Sequence, residues 1–249
     1  IGRNFAVMVY EVTRGMWAAL LAVQPSLPAD PSHLWGGDTA DQPVQRVTWH
    51  EAVLFANLLS AHRNLRPCYY TDAAFTVPVT VANYTAGPFF CDFGAPGFRL
   101  PTEGEWEYVC RGGSDTNPFP NQPYFMEDNY SAANCGVAST AGMYPTLETL
   151  AWFTANSGGR TAPVGSTIVN PWGQTDMLGN VWEWCWDWYA AYPAGAVTDY
   201  AGPGSGTQRV VRGGAWDRDA QHCRATNRES FGPDARLNSV GFRLVRTYP

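Results

Sequence analysis

Residues 181–188 read Val-Trp-Glu-Trp-Cys-Trp-Asp-Trp, a strict alternation of indoles with Glu183, Cys185 and Asp187. A period of two fits a β-strand and no helix. The pattern predicts a strand with four indoles on one face and two carboxylates and a thiol on the other. Four indoles on one strand bury well against helices, so core packing is the expected use of that face rather than an aromatic platform for sugars.

The helices able to cover it are short. Thr13 is placed to cap one through Val23, with Met16, Trp17, Leu20 and Leu21 on one side. Thr48-Trp49-His50-Glu51 is a capping box, followed by Ala52, Val53, Phe55, Ala56, Leu58 and Leu59 at helical spacing. Thr102-Glu103-Gly104-Glu105 is a second box, opening a helix through Cys110 that ends before Gly112-Gly113. Elsewhere glycine (25) and proline (19) break the chain into strand-like runs and turns, and charged residues make up only 15%. This predicts one loop-rich α+β domain over residues 1–249. Residues 114–170 are largely irregular, and a bound metal is one reason for so long a loop region.

The net charge of −6 argues against nucleic acid and against an anionic membrane surface. No apolar run approaches the roughly eighteen residues of a membrane helix, so no membrane insertion is expected. All sixteen basic residues are arginine, the better residue for forked pairing with carboxylates and for stacking on aromatic rings. The six cysteines form no Cys-x-x-Cys, which argues against zinc and thioredoxin-type centres. Cys68 and Cys91 flank the strand-like run 75–81 and are candidates for a disulfide or for two buried thiols.

Five ordered motifs then stand out. They are Phe5-Ala6-Val7-Met8 with Tyr10-Glu11-Val12-Thr13, residues 97–108 (Gly-Phe-Arg-Leu-Pro-Thr-Glu-Gly-Glu-Trp-Glu-Tyr), residues 176–184 (Asp-Met-Leu-Gly-Asn-Val-Trp-Glu-Trp), Arg212-Gly213-Gly214-Ala215-Trp216, and Gly241-Phe242-Arg243-Leu244-Val245. In this order they resemble the formylglycine-generating enzyme (sulfatase-modifying factor) family across the whole chain. The resemblance implies a C-type-lectin-like fold, a twisted antiparallel sheet with a few helices and many loops. Its oxidase uses two nearby cysteines to bind Cu(I), a soft ion suited to thiolates. Counted back from Gly241-Phe242-Arg243, those positions hold Ala220 and Ala225, with the single Cys223 out of register. No copper and no catalytic residue are expected. The related iron-dependent branch is disfavoured as well, because His33, His50, His62 and His222 are scattered.

The resemblance also implies structural calcium. One site matches Asp176, Gly179, Val181 and Glu183, and a second matches Asn134, Cys135, Asn156 and Gly158. Side-chain oxygens with backbone carbonyls suit this hard cation. The competing reading of the first set is that Asp176 caps a turn and Glu183 pairs with an arginine. In the second, Asn156 stands where the enzymes carry aspartate.

Residues 212–245 interleave the family frame with polar, charged and aromatic residues, a composition like that of a paratope. Trp216, Asp217, Arg218, Asp219, Gln221, His222, Thr226, Asn227, Glu229, Ser230, Phe231, Leu237 and Asn238 are the candidate ligand contacts. The layout resembles the variable proteins of diversity-generating retroelements, whose C-terminal lectin-like domain diversifies exposed positions while the frame is held. The expected function is non-catalytic binding or display of a protein or cell-surface ligand, in an extracellular, cell-surface or phage-associated setting. The alternatives are a family oxidoreductase with altered chemistry and a structural module of a larger protein.

Overall fold

The computed structural model describes residues 1–85, 87–113 and 147–248. In chain order these form β1 (Phe5–Val7), α1 (Arg14–Val23), α2 (Trp49–His62), β2 (Tyr69–Tyr70), β3 (Phe90–Cys91), β4 (Phe98–Arg99), α3 (Glu103–Cys110), α4 (Leu147–Leu150), β5 (Ala151–Trp152), β6 (Leu178–Gly179), β7 (Trp182–Trp188), β8 (Arg209–Arg212), β9 (Arg228–Phe231), β10 (Val240–Gly241) and β11 (Val245–Thr247).

The three expected helices form at their caps. Thr13 accepts from the Met16 amide. Thr48 and Glu51 close one capping box, and Thr102 and Glu105 close the other. Each box satisfies amides that the first helical turn leaves without intrahelical partners.

The strands are short and their pairing is more mixed than one antiparallel sheet. β1-β11-β4 is antiparallel, with Phe5 opposite Thr247, so the two ends of the described chain lie side by side. The larger sheet runs β10-β7-β8-β9, with β10 parallel to β7 and the remaining pairs antiparallel. β2 and β3 pair separately; Cys68 and Cys91 remain thiols, and the residue opposite Cys91 is Tyr69.

The alternating segment is the centre of the molecule. Trp182 and Trp184 join α1 and α2 in the main core, while Cys185 belongs to a second core with Trp106 of α3. Glu183, Cys185 and Asp187 are as buried as the indoles opposite them. Both faces of β7 are thus covered, where the alternation left the second open to water. The indoles also knit backbone to backbone: Trp49 donates to the Cys185 carbonyl and Trp184 to that of Val47, both at 2.9 Å.

Candidate functional site

The positions that would carry paired thiols lie inside the second core. Ala220 opens a single 3-10 turn through His222, and Ala225 follows it; both are almost fully buried. Cys223 is buried beside Gly214, whose φ of +85° places the backbone so close that a Cβ there would stand 2.9 Å from the sulfur. Arg212 fastens the following segment. Its Nη2 donates to the Ala225 carbonyl at 2.7 Å and to Glu107 of α3 at 2.5 Å, and its Nη1 donates to the Asn227 carbonyl. Burial pushes the Cys68 and Cys110 thiols up to about 12, and Cys91 and Cys185 also move upward. None of these four is poised as a thiolate nucleophile.

Under this region Glu183 is fully engaged. Its Oε2 accepts from Arg243 Nε at 2.6 Å and Trp106 Nε1 at 2.8 Å, and its Oε1 accepts from Arg243 Nη2 at 2.6 Å. Arg243 Nη2 also reaches the carbonyls of Thr175 and Asp176. Asp176, at φ +56°, receives the Gly165 amide and the Thr167 hydroxyl. The Arg243 guanidinium therefore supplies positive charge to the carboxylate expected to ligate calcium, as in the competing reading. One feature favours a cation nonetheless. Both Glu11 oxygens are buried without a partner, and burial followed by the Asp176 charge pushes this carboxyl well above its ordinary range. Asp176 and the orphaned Glu11 supply carboxyl oxygens of the kind a hard ion takes. Among the described residues, no three His, Cys, Asp or Glu side chains are grouped so that they alone could hold a metal ion. Of the second expected set, Asn134 and Cys135 lie outside the described residues. The Asn156 side chain caps its own turn, receiving the Phe153 amide and donating to the Ala151 carbonyl, two residues before Gly158.

The candidate ligand contacts divide by burial. Asp219, Gln221, Glu229 and Asn238 are exposed. Trp216, Asp217, Arg218, His222, Thr226, Asn227, Phe231 and Leu237 are half-buried. Ser230 is a correction: it is buried on β9 and bonds Gln208, so it offers nothing to a surface ligand. Phe231 and Leu237 pack against the main core, with Phe231 edge-on to Trp184. Ser230 and Phe231 lie on β9, opposite Val210 and Arg209 of β8, and Leu237 lies between β9 and β10.

The face gains residues that sequence reasoning missed. Trp216 stands edge-on to Trp35 at 5.4 Å, and Trp35 meets His33 at 4.7 Å. Arg160 reaches the Gly36 carbonyl. The loop is pinned from below: Trp216 Nε1 donates to the Asn238 carbonyl, Ser157 Oγ to the Trp216 carbonyl, and the Thr154 amide to the Arg218 carbonyl. These contacts join distant parts of the chain, Trp35 to Trp216 above all, and no local pattern announces them.

A family model, the sulfatase-modifying factor enzyme 1-like domain, matches residues 1–248. The chain belongs to this family. The chaperone protein LppX of Paenibacillus barcinonensis is 29% identical over 98% of the chain and 80% of its own length. The formylglycine-generating enzyme of Streptomyces coelicolor is 36% identical over 60% of the chain, which spans 46% of that enzyme. Among solved structures, Treponema denticola variable protein 1 superposes with a TM-score of 0.75 at 32% identity, covering 98% of this chain and 84% of that one. The α+β architecture is thus the family's C-type-lectin-like fold, resembling a variable protein as well as the enzymes.

Proposed function

We propose that this family member is a non-catalytic ligand-binding or display protein, and specifically a variable protein of the diversity-generating kind. The observation that carries the reading is the burial of Ala220 and Ala225, the positions that the sequence resemblance matches to the oxidase's two cysteines. Alanine cannot ligate copper, and Cys223 alone cannot form a two-thiolate site. Beside this closed region stands a face with exposed Asp219, Gln221 and Asn238 around the Trp216–Trp35–His33 cluster, on loops fixed by backbone hydrogen bonds. Loops ordered in advance lose less entropy on binding. The ligand is a protein or cell-surface group, met outside the cell or on a cell or phage surface. The resemblance to Treponema denticola variable protein 1 supports this reading.

Sequencing the coding segment for residues 210–245 across isolates tests it. Variation should concentrate at 217–219, 221–222, 226–227, 229 and 238, with a near-repeat and a reverse-transcriptase gene nearby. An invariant segment, together with copper-dependent oxidation of a cysteine peptide by the purified protein, would return the chain to the oxidoreductases. A structural calcium at the Asp176 loop is part of the proposal. EDTA should lower the melting temperature and added calcium should restore it; an unchanged melt means that Arg243 is the cation of that loop.

A further inference from the structure

Four arginines are almost completely buried, and one lacks the partner that the others have. Arg99 is held by Glu105, Arg212 by Glu107 and Glu103, and Arg243 by Glu183. Arg209, only 3% exposed at the start of β8, makes no ion pair among the described residues. Its guanidinium lies between the rings of Trp188 and Trp49, at 3.4 Å and 3.7 Å from their centroids. Nη1 donates to the Trp186 carbonyl at 2.5 Å. Nε has no partner, and Nη2 makes no hydrogen bond among the described residues. Nε is closed off from solvent and Nη1 is engaged, so Nη2 is the guanidinium nitrogen left for a further acceptor.

That arginine lines a cavity of about 390 Å³. The walls are apolar and aromatic, from Phe89, Phe93, Trp186 and Trp188, and the glycine-rich run 201–205 completes the lining. The volume and the single charged group suit a small-molecule site. We propose that this cavity binds a small monocarboxylate carried on a flat apolar body, with Arg209 as the anchor for its carboxylate. A carboxylate oxygen matches the unpartnered Nη2 in charge and as an acceptor, while Nε stays closed off. A phosphate dianion is a poorer match, because no second cation lines the cavity. Burial lowers the Arg209 guanidinium to about 9, with little charge nearby to offset it. The site lies at the start of β8, whereas the Trp216 face follows that strand's end, so the two readings stand or fall separately.

The probe is sodium benzoate, titrated into the full chain by calorimetry, with benzamide and sodium acetate as controls. Benzoate should bind saturably and about tenfold or more tighter than either control, since it alone combines charge with a ring. R209M should abolish the difference between benzoate and benzamide. S205F, which adds a ring to an exposed residue of the lining and leaves Arg209 untouched, should abolish binding of both. If R209M does not fold, S205F with the two controls decides. Absence of saturable benzoate binding up to about 10 mM, equal binding of benzoate and benzamide, or binding that survives S205F would overturn the proposal and leave Arg209 as a strut between two indoles.

Discussion

Arg243 and Arg209 are both buried on the central sheet region, yet they solve the same electrostatic problem differently. Arg243 sits among Glu183, Asp176 and Glu11 and spends its fork on a carboxylate and on backbone carbonyls. Arg209 relies on two indole faces and one carbonyl. The first region has more buried acid than base, and the second has a buried cation with no acid in contact. The contrast shows where a charge is structural and where it is left for something else.

The largest break in this comparison is expected from Arg243→Met. It strands Glu183 beside Asp176 and Glu11 in the core, and breaking a buried pair from one side costs about 3–5 kcal/mol. Urea unfolding measures this. The double variant R243M/E183Q should recover part of the loss, because it removes the stranded charge; no recovery would mean that Arg243 acts through the Thr175 and Asp176 carbonyls instead.

Next comes Asp187, whose charge reaches Arg209 without contact. Burial, opposed only in part by the Glu103 amide, raises its carboxyl from 3.8 to about 7. The folded protein therefore holds a proton that the unfolded chain releases. The stability this proton confers is present below about pH 4 and is lost as pH rises towards 7, by up to roughly 4 kcal/mol. Asp187→Asn keeps an acceptor for the Glu103 amide and should flatten that slope in melts between pH 4 and 8. An unchanged slope would place the titration elsewhere, with Glu11 the leading alternative.

Arg209→Met should cost less than Arg243→Met, about 1–2 kcal/mol, the scale of a desolvated cation–π contact. A cost equal to that of Arg243 would erase the distinction between the two regions. Smallest of all, alanine at Asp219, Gln221 and Asn238 should each shift stability by no more than about 0.5 kcal/mol, while binding of a ligand to that face is lost. A large stability loss there would mark the face as scaffold.

Much of the local structure was legible in the sequence. Thr13, Thr48 and Thr102 act within four residues of themselves, so their helices could be placed from the chain alone. The indole alternation gave β7, and the ordered motifs gave the family. Less of the site could be read. Strands of two residues carry no period, which hid the mixed pairing, and the burial of Ser230 and Phe231 comes from what covers each face of β9.

The chain by itself determined its helix starts and its aromatic strand, because each depends on neighbours along the backbone. The partners of its charges were decided only in three dimensions. Glu183 meets Arg243 across 60 residues, and His33, Trp35 and Trp216 come together from distant loops. Whether a buried arginine finds a carboxylate depends on which strands lie side by side, and that is set by packing around β7 rather than by local sequence.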